Sequence, residues 1–211
     1  WRGSQFLALK RLTRHRLHLV ECMTREKTYL VSNLCLKFSE LQMLEGDDQP
    51  FCDIYGATSS SVLTEYLSPE EIIDSSEEDL ISFLAQKSRN RIKDISKTAE
   101  LLRKAARDSY RLDKALYEPL NVSIASSFNC IETFKKEIKL IDIAIEREIR
   151  GLNPNAFIIL QSIDGIGPVF AGGIVAEIGD ISAFHSSDAL AKYAGLMWKS
   201  NQSGDFDGED T

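Results

Sequence analysis

Between Ser123 and Leu152, the residues Ile124, Ile131, Ile138, Ile145 and Leu152 recur every seven positions, with Phe134 and Ile141 at two of the intervening sites. A seven-residue recurrence keeps one face of an α-helix apolar along its length, whereas a strand alternates every two residues. Ser127 and Glu148 interrupt the other intervening positions, so only the middle heptads are clean. The stretch therefore predicts a long helix whose apolar seam needs a partner. Two partners satisfy it: the preceding helix folded back antiparallel, or the same helix of a second chain.

The rest of the chain is patterned the same way. Leu9, Leu12, Leu19, Met23, Leu30, Leu34, Leu41 and Leu44 follow three-, four- and seven-residue spacings, which predicts a long amphipathic helix from about Ser4 to Leu44. Gly46 and Pro50 end it. Ser68 followed by Pro69, Glu70 and Glu71, and Ser76 followed by Asp79, mark the starts of short helices. A further long helix is expected from Ser88 to about Tyr117, with Pro119 near its end. No sustained two-residue alternation and no internal repeat appears. The expected fold is all-α, with long helices forming a coiled-coil linker and a small domain containing a helix-hairpin-helix.

Four segments follow: a long amphipathic helix over 1–44, an acidic stretch of short helices over 45–87, a coiled-coil linker over 88–152, and a C-terminal domain over 153–211. No run of apolar residues is long enough to span a membrane. Cys22, Cys35, Cys52 and Cys130 are widely spaced and form no C-x-x-C pair, which suits a reduced, cytoplasmic chain. The first residues begin inside a helical pattern without a methionine, as expected of an excised piece.

A net charge of −7 conceals strong segregation. The acidic stretch 44–84 carries no Lys or Arg, while both 1–43 and 85–120 are net basic. On a continuous helix, Arg89, Lys93, Lys97, Lys104, Arg107, Arg111 and Lys114 would fall within about 100° of arc and form a row about 38 Å long. Glu100 interrupts it. A shorter row on the first helix contains Arg11, Arg14 and Arg25, with His15 and His18 between them. One reading is a phosphate track, which gives salt-dependent affinity without base preference. The other is a solvated face tied up in ion pairs. His15 and His18 lie one turn apart, but with no acid or cysteine taken to be in register, no metal site is expected. Asp205, Asp207, Glu209 and Asp210 lack the spacing of a calcium loop and read as an acidic tail.

The segment "LQSIDGIGPVFAGGIVAEIGDI" places Gly165, Ile166 and Gly167 between two apolar helical runs, with Pro168 suited to the first position of the second. Helix-start N–H groups can hold a phosphate. No Lys or Arg occurs between Gly151 and Ala191, however, so a structural hairpin is the better reading than a clamp.

The ordered set "IDGIGPVFAGGIVAEIGDISAFHSSDALAKYAGL" followed by "NQSG" resembles the C-terminal domain of transposases of the IS-one-ten insertion-sequence family, relatives of the Piv DNA invertase. The early segment "LKRLTRHRLHLVECMTREKTYLVSNL" is similar to that family's region just after its RuvC-like catalytic domain. The resemblance implies a DNA transposase or site-specific recombinase working with DNA and a structured non-coding RNA, in a homo-oligomer joined through the coiled coil. It implies Ser203 as the serine nucleophile and a divalent metal such as Mg held by carboxylates of the RuvC-like domain. Those carboxylates should lie before the first residue here, and the chain stops eight residues after Ser203, so this piece alone is expected to be inactive. Asp164, Glu177, Asp180 and Asp188 read as caps and surface charges. Two other readings remain: a non-enzymatic helix-hairpin-helix DNA-binding module, and a coiled-coil dimerisation unit.

Overall fold

The computed structural model describes residues 3–196 together with 202–203 and 206–207. The regular elements among the described residues are helices, apart from an antiparallel pairing of Gln202–Ser203 with Phe206–Asp207. The chain runs through α1 (Ser4–Lys37), α2 (Ala57–Glu65), α3 (Pro69–Asp74), α4 (Glu77–Ser88), α5 (Ile95–Asp108), α6 (Lys114–Leu152), α7 (Pro154–Gln161), α8 (Pro168–Ile178) and α9 (Ser187–Tyr193). The all-α expectation holds. No helix among the described residues is long and apolar enough to cross a membrane.

Two compact units emerge, one formed by Trp1–Arg14 with Asp142–Thr211 and the other by His15–Ile141. Their boundary falls inside α1 and inside α6.

In the His15–Ile141 unit, Leu30 and Leu34 of α1 share a core with Leu63 of α2, Ile72 of α3, Leu80 and Leu84 of α4, Leu102 of α5 and Ile124, Phe128 and Ile131 of α6. The isoleucine seam is thus covered here by the chain's own helices. α1 ends at Lys37 instead of continuing to Leu44. Phe38 leaves helical geometry with φ −146° and ψ 69°, and a 3-10 turn follows over Ser39–Gln42. That departure lets Phe38 and Leu41 both enter the core.

The acidic stretch contains short helices whose N-termini hold its carboxylates. Asp79 N–H donates to Ser76 Oγ at 3.0 Å, and the hydroxyl donates back to Asp79 Oδ2 at 2.7 Å. At α3 the Ser68 hydroxyl makes no capping bond; the Glu71 carboxylate instead accepts the Leu67 N–H at 2.6 Å. An acid near a helix start is favoured by the helix dipole.

The continuous helix expected from Ser88 to Tyr117 is corrected. α4 ends at Ser88, where Arg89 and Asn90 take left-handed backbone at φ 53° and 55°. α5 starts afresh at Ile95, capped by Asp94, whose carboxylate accepts the Lys97 N–H at 2.9 Å. It stops at Asp108, and α6 begins at Lys114 with Asp113 Oδ1 accepting the Ala115 N–H. Apolar spacing runs through both breaks, so periodicity alone reads them as one helix; the local signals are the caps Asp94 and Asp113. Pro119 lies inside α6 instead of ending a helix. It cannot donate to the Ala115 carbonyl, but both residues are exposed, so water can satisfy that oxygen.

In the other unit, α7 and α8 pack together, and Phe157, Ala171, Val175 and Ala176 are buried with Leu9, Ile145 and Ile149.

Candidate nucleic-acid interface

α5 separates its faces sharply. Ala99, Leu102, Ala105 and Ala106 are buried, while Lys97, Lys104 and Arg107 are exposed. These three cations span ten residues, about 15 Å of helix rather than 38 Å. Arg89 and Lys93 are exposed on the connection before α5, and Lys114 is exposed at the start of α6. The expected row of seven is therefore not one helical stripe. It is a short helical face with cations on the flanking connections.

Arg111 is otherwise engaged. Its Nε pairs with the Glu70 carboxylate at 2.7 Å, and its Nη1 donates to the Ala106 and Ser109 carbonyls at 2.9 and 2.7 Å. It closes the C-terminal end of α5, a position that favours a cation. Arg103, which sequence reasoning passed over, is half-buried and donates to the Ile73 carbonyl at 2.9 Å, holding α3 to α5.

The cations of α1 are also sorted by their partners. In the unit containing the N-terminus, Arg14 Nε lies 3.2 Å from Glu177 Oε1, and Lys10 Nζ lies 2.6 Å from Glu177 Oε2. The Lys10 hydrogen bond, joined by that of Arg14, holds the Glu177 carboxyl below its usual range. Glu177, expected to be only a surface charge or cap, is instead a two-cation latch between α8 and α1. Asp180 does cap, accepting the Ser182 N–H at 3.0 Å, and this hydrogen bonding lowers its carboxyl as well. Arg11 is exposed.

In the His15–Ile141 unit, Arg25 Nη2 donates to Cys22 Sγ at 3.3 Å, and Cys22 Sγ stands 3.7 Å from His18 Nε2. The His15 and His18 rings stack with centroids 6.2 Å apart. A cysteine is thus in register with His18, contrary to the sequence expectation; the overlooked signal was the four-residue spacing. Among the described residues no group of three or more His, Cys, Asp or Glu is placed to hold a metal ion. The carboxylate cluster implied by the resemblance is therefore not formed by Asp164, Glu177, Asp180 and Asp188.

The glycine segment is the tight turn between α7 and α8. Ile166 N–H donates to the Ile163 carbonyl at 3.1 Å, and Gly165 adopts φ +87°. That angle is where glycine is needed. Gly167 is different: its φ of −82° and ψ of 178° are ordinary, and a Cβ there would meet no atom within 4 Å. Pro168 opens α8 as expected.

Residues 158–211 match the model of the Transposase IS116/IS110/IS902 family. The matched segment, about a quarter of the chain, begins within α7 and contains the glycine turn, α8 and α9. Over this quarter the chain is similar to these insertion-sequence transposases, the family that the ordered motifs resemble. No curated protein and no solved structure matches the chain. Within the matched segment, Ser203 lies in the short antiparallel pairing, opposite Phe206. Its side chain, the Ser203 hydroxyl on which the nucleophile assignment rests, lies outside the described residues, as do Asp205, Glu209 and Asp210.

One buried cation was not foreseen. Lys37 is 1% exposed, and its Nζ donates to the carbonyls of Leu63 and Tyr66, both at 2.6 Å, and to Asn121 Oδ1 at 2.5 Å. Burial lowers its amine to about 8, with Glu71 pulling the other way. An ammonium has three hydrogens, and each finds an acceptor here.

Proposed function

We propose that this chain is part of a DNA transposase or site-specific recombinase in which Ser203 is the nucleophile and the cations around α5 hold nucleic-acid phosphates. The observation that carries the reading is the family match over residues 158–211, the segment in which the S-G pair stands. The Ser203 hydroxyl would lose its proton and attack phosphorus. The bond from phosphorus to the leaving sugar oxygen would break, that oxygen would take up a proton, and a phosphoserine link would conserve the bond energy for rejoining.

Lys97, Lys104 and Arg107, with Arg89, Lys93 and Lys114 nearby in sequence, supply backbone affinity without base readout. Arg11 and Arg25 are lesser candidates on α1, and Arg14 would contribute only on leaving Glu177. The partners proposed are DNA, a structured RNA and a second copy of the chain, in the cytoplasm; the metal belongs to a RuvC-like carboxylate cluster outside the described residues. The test is covalent trapping on insertion-sequence-end DNA by the full-length protein. Ser203→Ala should abolish the protein–DNA adduct while leaving DNA binding intact. An adduct undiminished by Ser203→Ala would overturn the assignment.

A second reading has its own support in Gly167. Nothing in the fold requires glycine there, which is what a close approach by another molecule's backbone would require. On that reading the α7–α8 turn is a helix-hairpin-helix contact for nucleic acid and not only a turn. Gly167→Ser, which keeps a good N-cap residue at the start of α8, should then weaken binding without lowering stability. Unchanged binding would leave the hairpin a structural element.

A further inference from the structure

α1 carries a pair of metal-ligating side chains that the proposed chemistry does not use. His18 and Cys22 stand one helical turn apart, which brings side chains onto one face. Cys22 Sγ lies 3.7 Å from His18 Nε2 and 4.0 Å from Nδ1. A tetrahedral zinc ion bound at about 2.3 Å by sulfur and about 2.0 Å by nitrogen separates those two atoms by about 3.5 Å. The separation is close to that of one edge of such a site, and because the sulfur stands almost equally far from both ring nitrogens, the exposed imidazole must turn to aim one of them at the shared position.

The present neighbour of the sulfur is also a cation. Arg25 Nη2 donates to Cys22 Sγ at 3.3 Å from the next turn of the helix. A guanidinium and a metal ion both address the electron-rich sulfur, so they compete for one position. His18 is exposed and Cys22 half-buried, so a hydrated ion can reach both and keep water in its remaining positions.

We propose that His18 and Cys22 form a two-residue chelate for a soft or borderline divalent cation of the zinc and cadmium kind, with Arg25 as its competitor. Binding requires the neutral imidazole and the thiolate, so the thiol proton is released as the metal–sulfur bond forms. Hard cations such as magnesium, which prefer oxygen, are excluded by the same donor set.

The experiment uses the chain with the exposed Cys35, Cys52 and Cys130 replaced by serine, so that Cys22 is its one thiol. Cadmium is titrated while thiolate-to-metal charge-transfer absorption and heat are followed, with helicity recorded throughout. One equivalent should bind. Cys22→Ser should remove the absorption band, His18→Gln should weaken binding about tenfold or more, and Arg25→Gln should tighten it. Absence of a charge-transfer band in the single-thiol chain would overturn the proposal. So would a cadmium affinity unchanged by His18→Gln in a variant of unaltered helicity.

Discussion

Ile145 leans directly over Gly172: a Cβ placed on Gly172 would lie 2.5 Å from Ile145 Cγ2 and 3.9 Å from Leu9 Cδ1. Gly172 is buried in α8, and only hydrogen fits between that helix and α6 at this level. Its neighbour Gly173 has nothing within 4 Å. Adjacent glycines in one helix should thus respond oppositely to alanine. Gly172→Ala overpacks, at about 1–3 kcal/mol, against a helix-propensity gain near 1 kcal/mol, so the net is destabilising. Gly173→Ala should stabilise by up to about 1 kcal/mol. Chemical denaturation of both variants reads the two signs, and equal signs would refute the packing account.

The Glu177 latch predicts an acid-labile, salt-sensitive contribution. Its carboxyl is held low by Lys10 and Arg14, so the stabilisation is present above the unfolded-state value and is lost as pH falls through the lower folded value. Because the Glu177 side chain is 45% exposed, Glu177→Gln should cost only about 0.2–1 kcal/mol near neutral pH. That cost should shrink in high salt and at low pH. Denaturation series across pH and ionic strength check it; a cost independent of both would mean the contact is steric.

Lys37 should make stability rise in mild alkali. Its folded-state amine is lowered to about 8 from an ordinary 10.5, so between those values the unfolded chain binds the proton that the folded chain has lost. More protons on the unfolded chain mean that stability increases with pH across that window. Lys37→Met provides the reference without that titration, and the stability difference between the two proteins should grow from pH 8 upward. The variant itself should be destabilised by about 3 kcal/mol or more, since two buried acceptors and one part-buried one lose their donor. A flat difference profile would show that the three acceptors, which favour the ammonium, offset burial.

The α5 face predicts a change in salt slope. Reversing Lys97, Lys104 and Arg107 should weaken binding to duplex DNA and structured RNA and reduce the salt slope by up to about 3. Arg111→Gln should act differently, lowering stability through its lost Glu70 and carbonyl contacts with little change in slope. Salt-series binding isotherms and melting curves separate the two effects. An unchanged slope in the triple variant would make this face merely solvated.

Sequence alone determined the helical class, because periodicity near 3.6 residues survives any packing arrangement. Ile124, Ile131, Ile138 and Ile145 were legible as a buried seam, and all four are buried. Ser76 with Asp79, and Gly165 before Pro168, were legible because caps and turns are set by neighbours within a few residues. The ordered motifs from Ile163 to Gly204 carried the family resemblance for a similar reason: they are local strings.

Only the tertiary structure decided which charges are occupied. Glu177 meets Lys10 across 167 positions of chain, and Lys37 meets Asn121 across 84, distances at which no periodicity speaks. The helix breaks at Arg89 and Ser109 override continuous apolar spacing, with Asp94 and Asp113 as their local marks, and between them α5 packs against both α3 and α4. A helical pattern states which side of a segment is apolar. It cannot state where the segment must turn for several such sides to share one core, and that shared burial is what the three-dimensional chain settles.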